Sequence, residues 1–466
     1  MSPNSHDKPS RPAIFLLTAA VIMAAGCSGS INPISTQSGP TGPAFVVGTD
    51  APMASVTSFS VQVTSVNAID ATGKSVPLLS GTPTVDFARY NGLQTLLDMN
   101  DVPVGTYTSV SITLGAGTIG YLDTSGAGAP VIKTEAAALT QSTVTVTLSK
   151  PLVIATAAAP VGVRVDFDLS KSILVDASGQ ITGQVTPTFT VDVVGIGDAG
   201  GYIDEFDAGV VSVDVGKQSF VVQGPHGRQL TVNVDAQTEW DGTASLSALT
   251  TSSIVQISGT LDKADLTVDA DEVSILSQSG FSASGLITYV APPTGTATSF
   301  DLYVRGLLPA NTGLMLGQIA QVNLAGTEKY SIYWMHNPMA QFLFNSGTLL
   351  AGQSVAVGGP ASGAANPNAV TVNHVSLRHW GFNGTVVAGS VSMGHSTFQM
   401  KVNGFAGVVI PETVTVYVAG KTGFRHGFNQ MGDVTAGANV RVVGLLLHDP
   451  VSGNAVLLSR YVDDMK

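Results

Sequence analysis

The sequence predicts an all-β protein, and its composition and periodicity carry that prediction. Charged residues make up only 11% of the 466 residues, whereas glycine occurs 52 times, a composition that favours strands and tight turns over helices with charged surfaces. Residues 56–66 alternate apolar and polar positions with a period of two, which is typical of a half-buried strand. One hydrophobic core serves at most roughly 250 to 300 residues, so we expect several domains.

Residues 1–26 have the layout of a lipoprotein signal peptide. Lys8 and Arg11 precede the apolar run 13–23, and small residues then lead to Cys27. The run is shorter than the about 20 residues of a transmembrane helix, so it predicts export. The approach to Cys27 resembles the lipobox of bacterial lipoproteins, in which the cysteine is lipidated and becomes the mature N-terminus. An ordinary signal peptide that leaves an incidental thiol is the alternative.

Cys27 is the only cysteine in the sequence, so the exported chain can form neither an internal disulfide nor a zinc–thiolate site. The resemblance to lipoproteins implies acylation of Cys27, palmitate included, and more than one acyl chain makes such an anchor stable. Ser28, by the same resemblance, favours delivery to the outer membrane of the cell envelope. Residues 27–43 are rich in Ser, Gly, Pro and Thr and predict a flexible tether.

Residues 44–194 predict the first folded module. Their pattern favours short strands, with a short helix at 93–97, where apolar residues fall at i, i+3 and i+4, and a strand at 106–114. Three pieces resemble the lipoprotein family called domain of unknown function 4382: residues 49–52, 102–107 and 165–172. The middle piece is also similar to the proline–glycine–tyrosine turn of transthyretin-like domains, which implies a β-sandwich of that or a similar Greek-key type.

The chain from residue 200 onward repeats one order of strand signals three times. The predicted units span residues 200–278, 280–378 and 380–463. Each contains a glycine-terminated apolar strand, and these strands lie at 254–259, 354–359 and 439–444. Five or six strands with glycines at the bends predict a small closed or nearly closed barrel. The order of signals resembles the family called domain of unknown function 5666, which implies OB-like barrels.

Composition and spacing also limit the possible chemistry. A net charge of −12 without a basic run argues against nucleic acid as a partner. The histidines, His374 and His379 among them, have no spacing that predicts a metal site, and we expect them at the surface or in turns. No glycine-x-serine-x-glycine elbow occurs, and no cofactor is expected. Asp166 and Asp168 share a strand face, which fits either a calcium ligand pair or, more simply, hydrogen bonding at a strand end.

Two groups of residues are candidates for ligand binding. Tyr333 and Trp334 belong to an aromatic cluster that would either contact a ligand or fill a barrel interior. Phe424, Arg425 and His426 lie in a segment that mixes aromatic, cationic and amide groups. Separately, the only visible acid–base candidates for hydrolysis are three carboxylates at Asp269, Asp271 and Glu272.

The sequence therefore predicts a non-enzymatic lipoprotein of the cell envelope, attached to a membrane through its lipid. Its modules, arranged in a row, would bind a polysaccharide or an envelope protein through repeated surfaces. A structural spacer or assembly subunit is the alternative of a different class. An envelope glycan hydrolase is a further alternative, which the lack of a catalytic constellation disfavours.

Overall fold

The computed structural model describes residues 39–465 with gaps at 52, 54, 124–130, 157–158, 196–200, 225–228, 242–243, 263–266, 310–311, 333–341, 362–367 and 404–411. Strands dominate this part of the chain, which contains no helix of seven residues or more, so the all-β prediction is confirmed. No helix among these residues is long and apolar enough to cross a membrane. Cys27, the predicted signal peptide and most of the tether lie outside the described residues, as do Tyr333 and Trp334.

The first module is formed by strands β1 to β13 and one short helix. The strands are β1 (Thr41–Ala51), β2 (Val56–Asp70), β3 (Ser75–Pro77), β4 (Thr84–Asp86), β5 (Thr95–Pro103), β6 (Gly105–Asp123), β7 (Val131–Ala136), β8 (Ala138–Leu139), β9 (Thr143–Ile154), β10 (Val161–Asp168), β11 (Ile173–Val175), β12 (Ile181–Val185) and β13 (Phe189–Gly195). Helix α1 (Leu169–Ser172) follows β10, and a 3-10 helix at Phe87–Tyr90 follows β4.

Two sheets share the core of this module. One has the strand order β13–β10–β1–β5, and the other has the order β3–β2–β6–β7, with β4 beside β2 and β9 beside β6. Val46 from the first sheet and Val110 from the second belong to the same buried cluster. Phe167 packs edge-on against Phe59 with 4.9 Å between the ring centroids, an arrangement that aromatic pairs prefer. The transthyretin-like type of this module stays a prediction.

The helix predicted at 93–97 is wrong, because most of that segment belongs to strand β5. Leu97 packs into the core of the first module, whereas Leu96 packs into the core of the next one. A strand that is buried on both faces loses the alternation of apolar and polar residues, so its sequence can imitate a helical pattern. The strand predicted at 106–114 is confirmed as part of β6.

Three further modules follow, each with its own set of strands. The second module has β14 (Tyr202–Asp214), β15 (Ser219–Gln223), β16 (Gln229–Asn233), β17 (Glu239–Trp240), β18 (Ile254–Leu261) and β19 (Val268–Ser277). The third has β20 (Phe281–Ala291), β21 (Ser299–Leu308), β22 (Ile319–Asn323), β23 (Lys329–Ile332), β24 (Ser354–Gly359), β25 (Ala369–Thr371) and β26 (His374–Arg378). The fourth has β27 (Trp380–Val386), β28 (Thr397–Val402), β29 (Thr413–Arg425), β30 (Asn439–His448) and β31 (Ala455–Asp464).

The same strand pairing recurs in these three modules. In the fourth, β27–β28–β29–β31–β30 form a closed barrel in which β29 and β31 are parallel. The second module pairs β14–β15–β16–β19–β18 in the equivalent order, with β16 and β19 parallel. In the third module the last strand is divided into β25, which is parallel to β22, and β26, which pairs with β24. The predicted repeat is therefore present as repeated strand order, and the OB-like type stays a prediction.

The glycines that end the predicted apolar strands mark places where two backbones cross closely. A Cβ atom on Gly259 would lie 2.2 Å from the carbonyl oxygen of Asp269, and one on Gly444 would lie 2.3 Å from that of Leu458. Both glycines are next to a shift in strand register. A side chain at either position would force the neighbouring strand away, which explains why the repeat requires glycine there.

The modules do not lie in a row, because each of the four contacts the other three. Residues 39–466 form one compact unit. The six pairs of modules are joined by polar contacts: Arg89–Asp207, Asp86–Arg305, Asn91–Gly381, Glu205–Arg378, Asp204–Arg460 and Gln353–Leu446. The expectation of a linear array is therefore wrong. The modules instead form one compact body, in which buried apolar clusters as well as polar contacts join neighbouring modules.

Candidate functional site

Arginines are concentrated where the modules meet. The sequence contains nine arginines, and six of them lie at contacts between modules, where each also has a carboxylate partner. We call these the junction arginines: Arg89, Arg305, Arg378, Arg425, Arg441 and Arg460. The planar guanidinium group has five donors in a fixed geometry, so arginine can satisfy several acceptors from different modules at once.

Arg378 lies at the centre of this network. Its side chain is 1% exposed, and its Nε donates to Glu205 Oε2 at 3.1 Å while Nη1 donates to Asp207 Oδ2 at 2.8 Å. The other oxygen of Glu205 accepts hydrogen bonds from the backbone N–H of His379 at 2.8 Å and pairs with His379 Nδ1 at 3.0 Å. Glu205 thus receives donors from two adjacent residues of the third and fourth modules.

Burial changes the protonation behaviour of this centre. It raises the pKa of Glu205 to about 7 and that of Asp207 to about 6, and it lowers the pKa of His379 well below its ordinary value. The charged form of each group loses hydration that its partners only partly replace. The prediction of surface histidines is wrong for His374 and His379, which are both buried.

A line of alternating arginine and tyrosine side chains lies between the second and fourth modules. The guanidinium of Arg425 lies 3.8 Å from the ring centroid of Tyr461, and that of Arg460 lies 5.2 Å from the same ring. Arg460 is also 5.5 Å from the ring of Tyr202, to whose hydroxyl its Nη2 donates at 3.0 Å. All four side chains are half-buried. We call them the arginine–tyrosine stack.

A β-bulge explains how neighbouring residues of one strand both join this stack. Tyr461 pairs with Val443 and Ser459 pairs with Gly444, so Arg460 is an extra residue on β31. Side chains normally alternate between the two faces of a strand, and a bulge changes that direction locally. A second bulge in β14 contains Asp204 and Glu205, and Glu205 has a left-handed φ of 47°.

Two of the three predicted ligand residues in the fourth module lie at this stack. Arg425 is held by Asp463 Oδ1 at 2.7 Å and by the backbone oxygen of Gly92 at 3.0 Å. His426 is exposed, with Nδ1 3.6 Å from Asp463 Oδ1. Burial acts to raise the pKa of Asp463, but the hydrogen bonds from His426 and Arg425 hold it below its ordinary value. Phe424 is half-buried against the core of the fourth module.

The predicted carboxylates divide between different environments. Asp271 is half-buried beside Tyr202, and burial raises its pKa. Glu272 is buried, and burial raises its pKa to about 8. Asp269 is exposed and accepts a hydrogen bond from Asn233 at 3.1 Å. Asp271 is the extra residue of a β-bulge in β19, since Ala270 pairs with Gly259 and Glu272 pairs with Ser258. The three carboxylates therefore differ in exposure, and Asp271 differs from Glu272 in its place in the strand pairing.

The acidic residues of the first module have structural roles. Asp168 caps helix α1, accepting hydrogen bonds from the backbone N–H of Lys171 at 3.0 Å and from Ser170 Oγ at 2.6 Å, as expected for hydrogen bonding at a strand end. Asp50 is 1% exposed, and burial together with the charge of Asp166 raises its pKa well above its ordinary value. Within the described ranges, no group of three or more His, Cys, Asp or Glu residues is arranged to hold a metal ion.

Sequence reasoning missed Tyr202, Arg460 and Tyr461, which complete the stack. A usable signal was the scarcity of arginine: the sequence contains only nine, so each one could have been considered as a candidate. The stack joins residues that are more than two hundred positions apart, and neither bulge can be read from periodicity. Its carboxylates and Arg425 could be singled out separately, but their proximity could not be predicted.

The strand architecture and the contacts between modules define an all-β protein of several modules, which are joined by buried ion pairs. Residues 44–183 match the family model described as Domain of unknown function (DUF4382). Residues 208–274 match the model described as Domain of unknown function (DUF5666). Both matches confirm the resemblances that the sequence motifs indicate. No curated protein matches this chain.

Removing the central guanidinium should destabilise the whole body. We expect Arg378→Met to lower the free energy of unfolding at pH 8 by about 3–5 kcal/mol, because it removes the cation that is paired with the buried Glu205 and leaves Asp207 with Arg89 alone. Arg164→Met is the control, since the Arg164–Asp192 pair is partly exposed and such pairs contribute at most about 1 kcal/mol. Urea unfolding measures both values. Equal effects of the two substitutions would contradict the central role of Arg378.

Buried carboxyl groups should make the protein less stable as the pH rises. Glu272 and Glu205 have folded pKa values of about 8 and about 7, above the about 4.3 of an unfolded glutamate. At pH values between the unfolded and the folded pKa, the folded state binds more protons than the unfolded state. The free energy of unfolding therefore falls as pH rises from about 4.5 to 8. Glu272→Gln should reduce that fall and should be more stable than the parent at pH 8. Near pH 4.5 the variant and the parent should have similar free energies of unfolding. A parent stability that rises over this window would refute the assignment.

Proposed function

We propose that the protein is a non-catalytic lipoprotein of the bacterial cell envelope that binds an extracellular or envelope polymer. Lipid on Cys27 would hold it at a membrane, most simply the outer membrane, and residues 28–38 would connect that lipid to the compact body. The signal-peptide layout of residues 1–26 and the single cysteine support the anchor.

The arginine–tyrosine stack is the observation that carries the binding proposal. Tyr202 and Tyr461 supply half-buried rings, and Asp271 supplies a hydrogen-bond acceptor next to them. Ring faces beside fixed polar groups are suited to sugar rings and to polymer side groups. Because Arg460 and Arg425 are neutralised by Asp204 and Asp463 and lie over the tyrosine rings, the stack offers hydrogen-bonding groups and the accessible parts of the two rings more than net charge.

The environments of the carboxylates support a non-catalytic role. Glu272 is buried, and its high pKa follows from burial and from the charges of Glu205, Glu239 and Asp241. Structural ion pairs perturb pKa values in the same way as active sites do, so the high pKa of Glu272 does not by itself indicate catalysis. The rigid junction of four modules favours the second candidate function, a structural spacer or assembly subunit, which needs no ligand.

Polymer binding can be tested with the soluble chain from Ser28 onward. We expect it to bind at least one member of a panel of polysaccharides and envelope polymers, and Tyr461→Ala to weaken that binding at least about tenfold, as loss of a central aromatic contact does. Tyr289→Ala is the matched control, because Tyr289 is a 51% exposed tyrosine of the third module. Unfolding curves verify that both variants fold. Equal losses in the two variants, or no binding by the parent, would favour the spacer function.

The anchor can be tested separately in cells. Cys27→Ala should abolish incorporation of labelled palmitate and should release the protein from the membrane fraction, because the sequence has no other cysteine to acylate. Growth with labelled palmitate, followed by fractionation, measures both effects. Ser28→Ala, which keeps the cysteine, is the control for labelling. A Cys27→Ala protein that stays labelled and membrane-bound would contradict the lipoprotein assignment.

A further inference from the structure

The outer face of the second sheet of the first module carries a regular array of small polar side chains. Strands β2, β6 and β9 pair so that three rows of residues cross the sheet. The rows are Ser65–Thr113–Thr143, Asn67–Ser111–Thr145 and Ile69–Ser109–Thr147. We call these nine residues the hydroxyl face, since seven of them are serine or threonine.

Alternation along the strands separates this face from the core. The residues between its members, such as Val66, Val110 and Ile112, are buried in the first module, so the hydroxyl face points away from that core. Thr143, Thr145 and Thr147 on β9 are exposed, and the other six residues are half-buried.

The spacing of the face is that of a regular β-sheet. Neighbouring strands lie about 4.8 Å apart, and residues of one strand on the same face lie about 6.6–6.8 Å apart. Thr113 and Thr143 share a hydrogen bond of 3.1 Å between their hydroxyl groups, which fixes one row. β-Branched threonines have few side-chain conformations, so the exposed hydroxyl groups are held in position at little entropic cost.

The uncharged, hydroxyl-rich composition of the hydroxyl face indicates the class of its partner. None of the nine residues is charged, although the chain has a net charge of −12. A polyanion or a polycation would find no opposite charge on these residues. Each hydroxyl group is both donor and acceptor, and Asn67 adds an amide, which matches the hydroxyl groups of an uncharged sugar chain. A repeated array also suits a repeating polymer, since several weak contacts form together.

We infer that the hydroxyl face binds an uncharged polysaccharide laid flat across β2, β6 and β9. The inference rests on the proposed polymer-binding function and gives it a substrate class and a second surface. That surface lies on the first module, whereas the arginine–tyrosine stack lies between the second and the fourth. The two surfaces can therefore be inactivated separately.

Cosedimentation with microcrystalline cellulose and with chitin, using the chain from Ser28 onward, tests the inference. Thr145→Lys places a charge at the exposed β9 end of the middle row and should reduce binding at least about tenfold. Thr145→Val keeps the β-branched shape but removes the hydroxyl group, and it should reduce binding by a smaller factor. Thr413→Lys is the control, since Thr413 is an exposed strand threonine of the fourth module, and it should bind like the parent.

The outcomes separate this inference from the proposed function. Loss of polysaccharide binding in Thr145→Lys, together with unchanged binding in Thr413→Lys, would support binding by the hydroxyl face. If the parent binds these polysaccharides and Thr145→Lys binds equally well while Tyr461→Ala does not, the hydroxyl face is overturned and the proposed function stands. If the parent binds neither cellulose nor chitin but binds a charged polymer, the uncharged class is overturned and the proposed function again stands.

Discussion

The pairing of Arg378 with Glu205 and Asp207 is the interaction on which the arrangement of the modules depends. Three charges lie away from water in one place, and each is costly unless the others are positioned to meet it. The second and third modules supply these charges, while the fourth adds the backbone N–H of His379 and the first adds Arg89 beside Asp207. Displacing one of the modules that supply these groups would leave a buried charge without one of its partners.

This dependence explains why apolar and polar residues have different structural roles in the chain. Apolar alternation builds the sheets of each module, and some buried clusters also cross from one module to the next, as Leu96 of the first module does into the cluster of the second. Polar side chains add the ion pairs at these boundaries. Arginine is suited to this task because one guanidinium can contact two carboxylates and a carbonyl oxygen, as Arg378 does with Glu205 and Asp207.

Much of the fold could be predicted from the sequence because strands that are buried on one face carry a period of two. The glycine-terminated strands predicted for the repeat correspond to β18, β24 and β30, although β18 and β30 continue past Gly259 and Gly444, where close backbone crossings require glycine. Prediction failed where that period breaks. Strand β5 is buried on both sides, and the bulges at Asp204–Glu205 and at Arg460 redirect side chains. The candidate site lies at those bulges, so its members could be named only in part, and the contacts between modules were not visible in any local pattern.

The position of Arg460 and Asp463 in the last strand has a consequence for how the chain is made. Both residues lie in β31, yet they supply ion-pair partners for Asp204, Arg425 and Arg441. During synthesis, the earlier strands can pair before β31 is made, but those three charges lack these partners until β31 has been translated. The junction is therefore completed late in translation, because its partners for residues of the second module come from the last strand of the fourth.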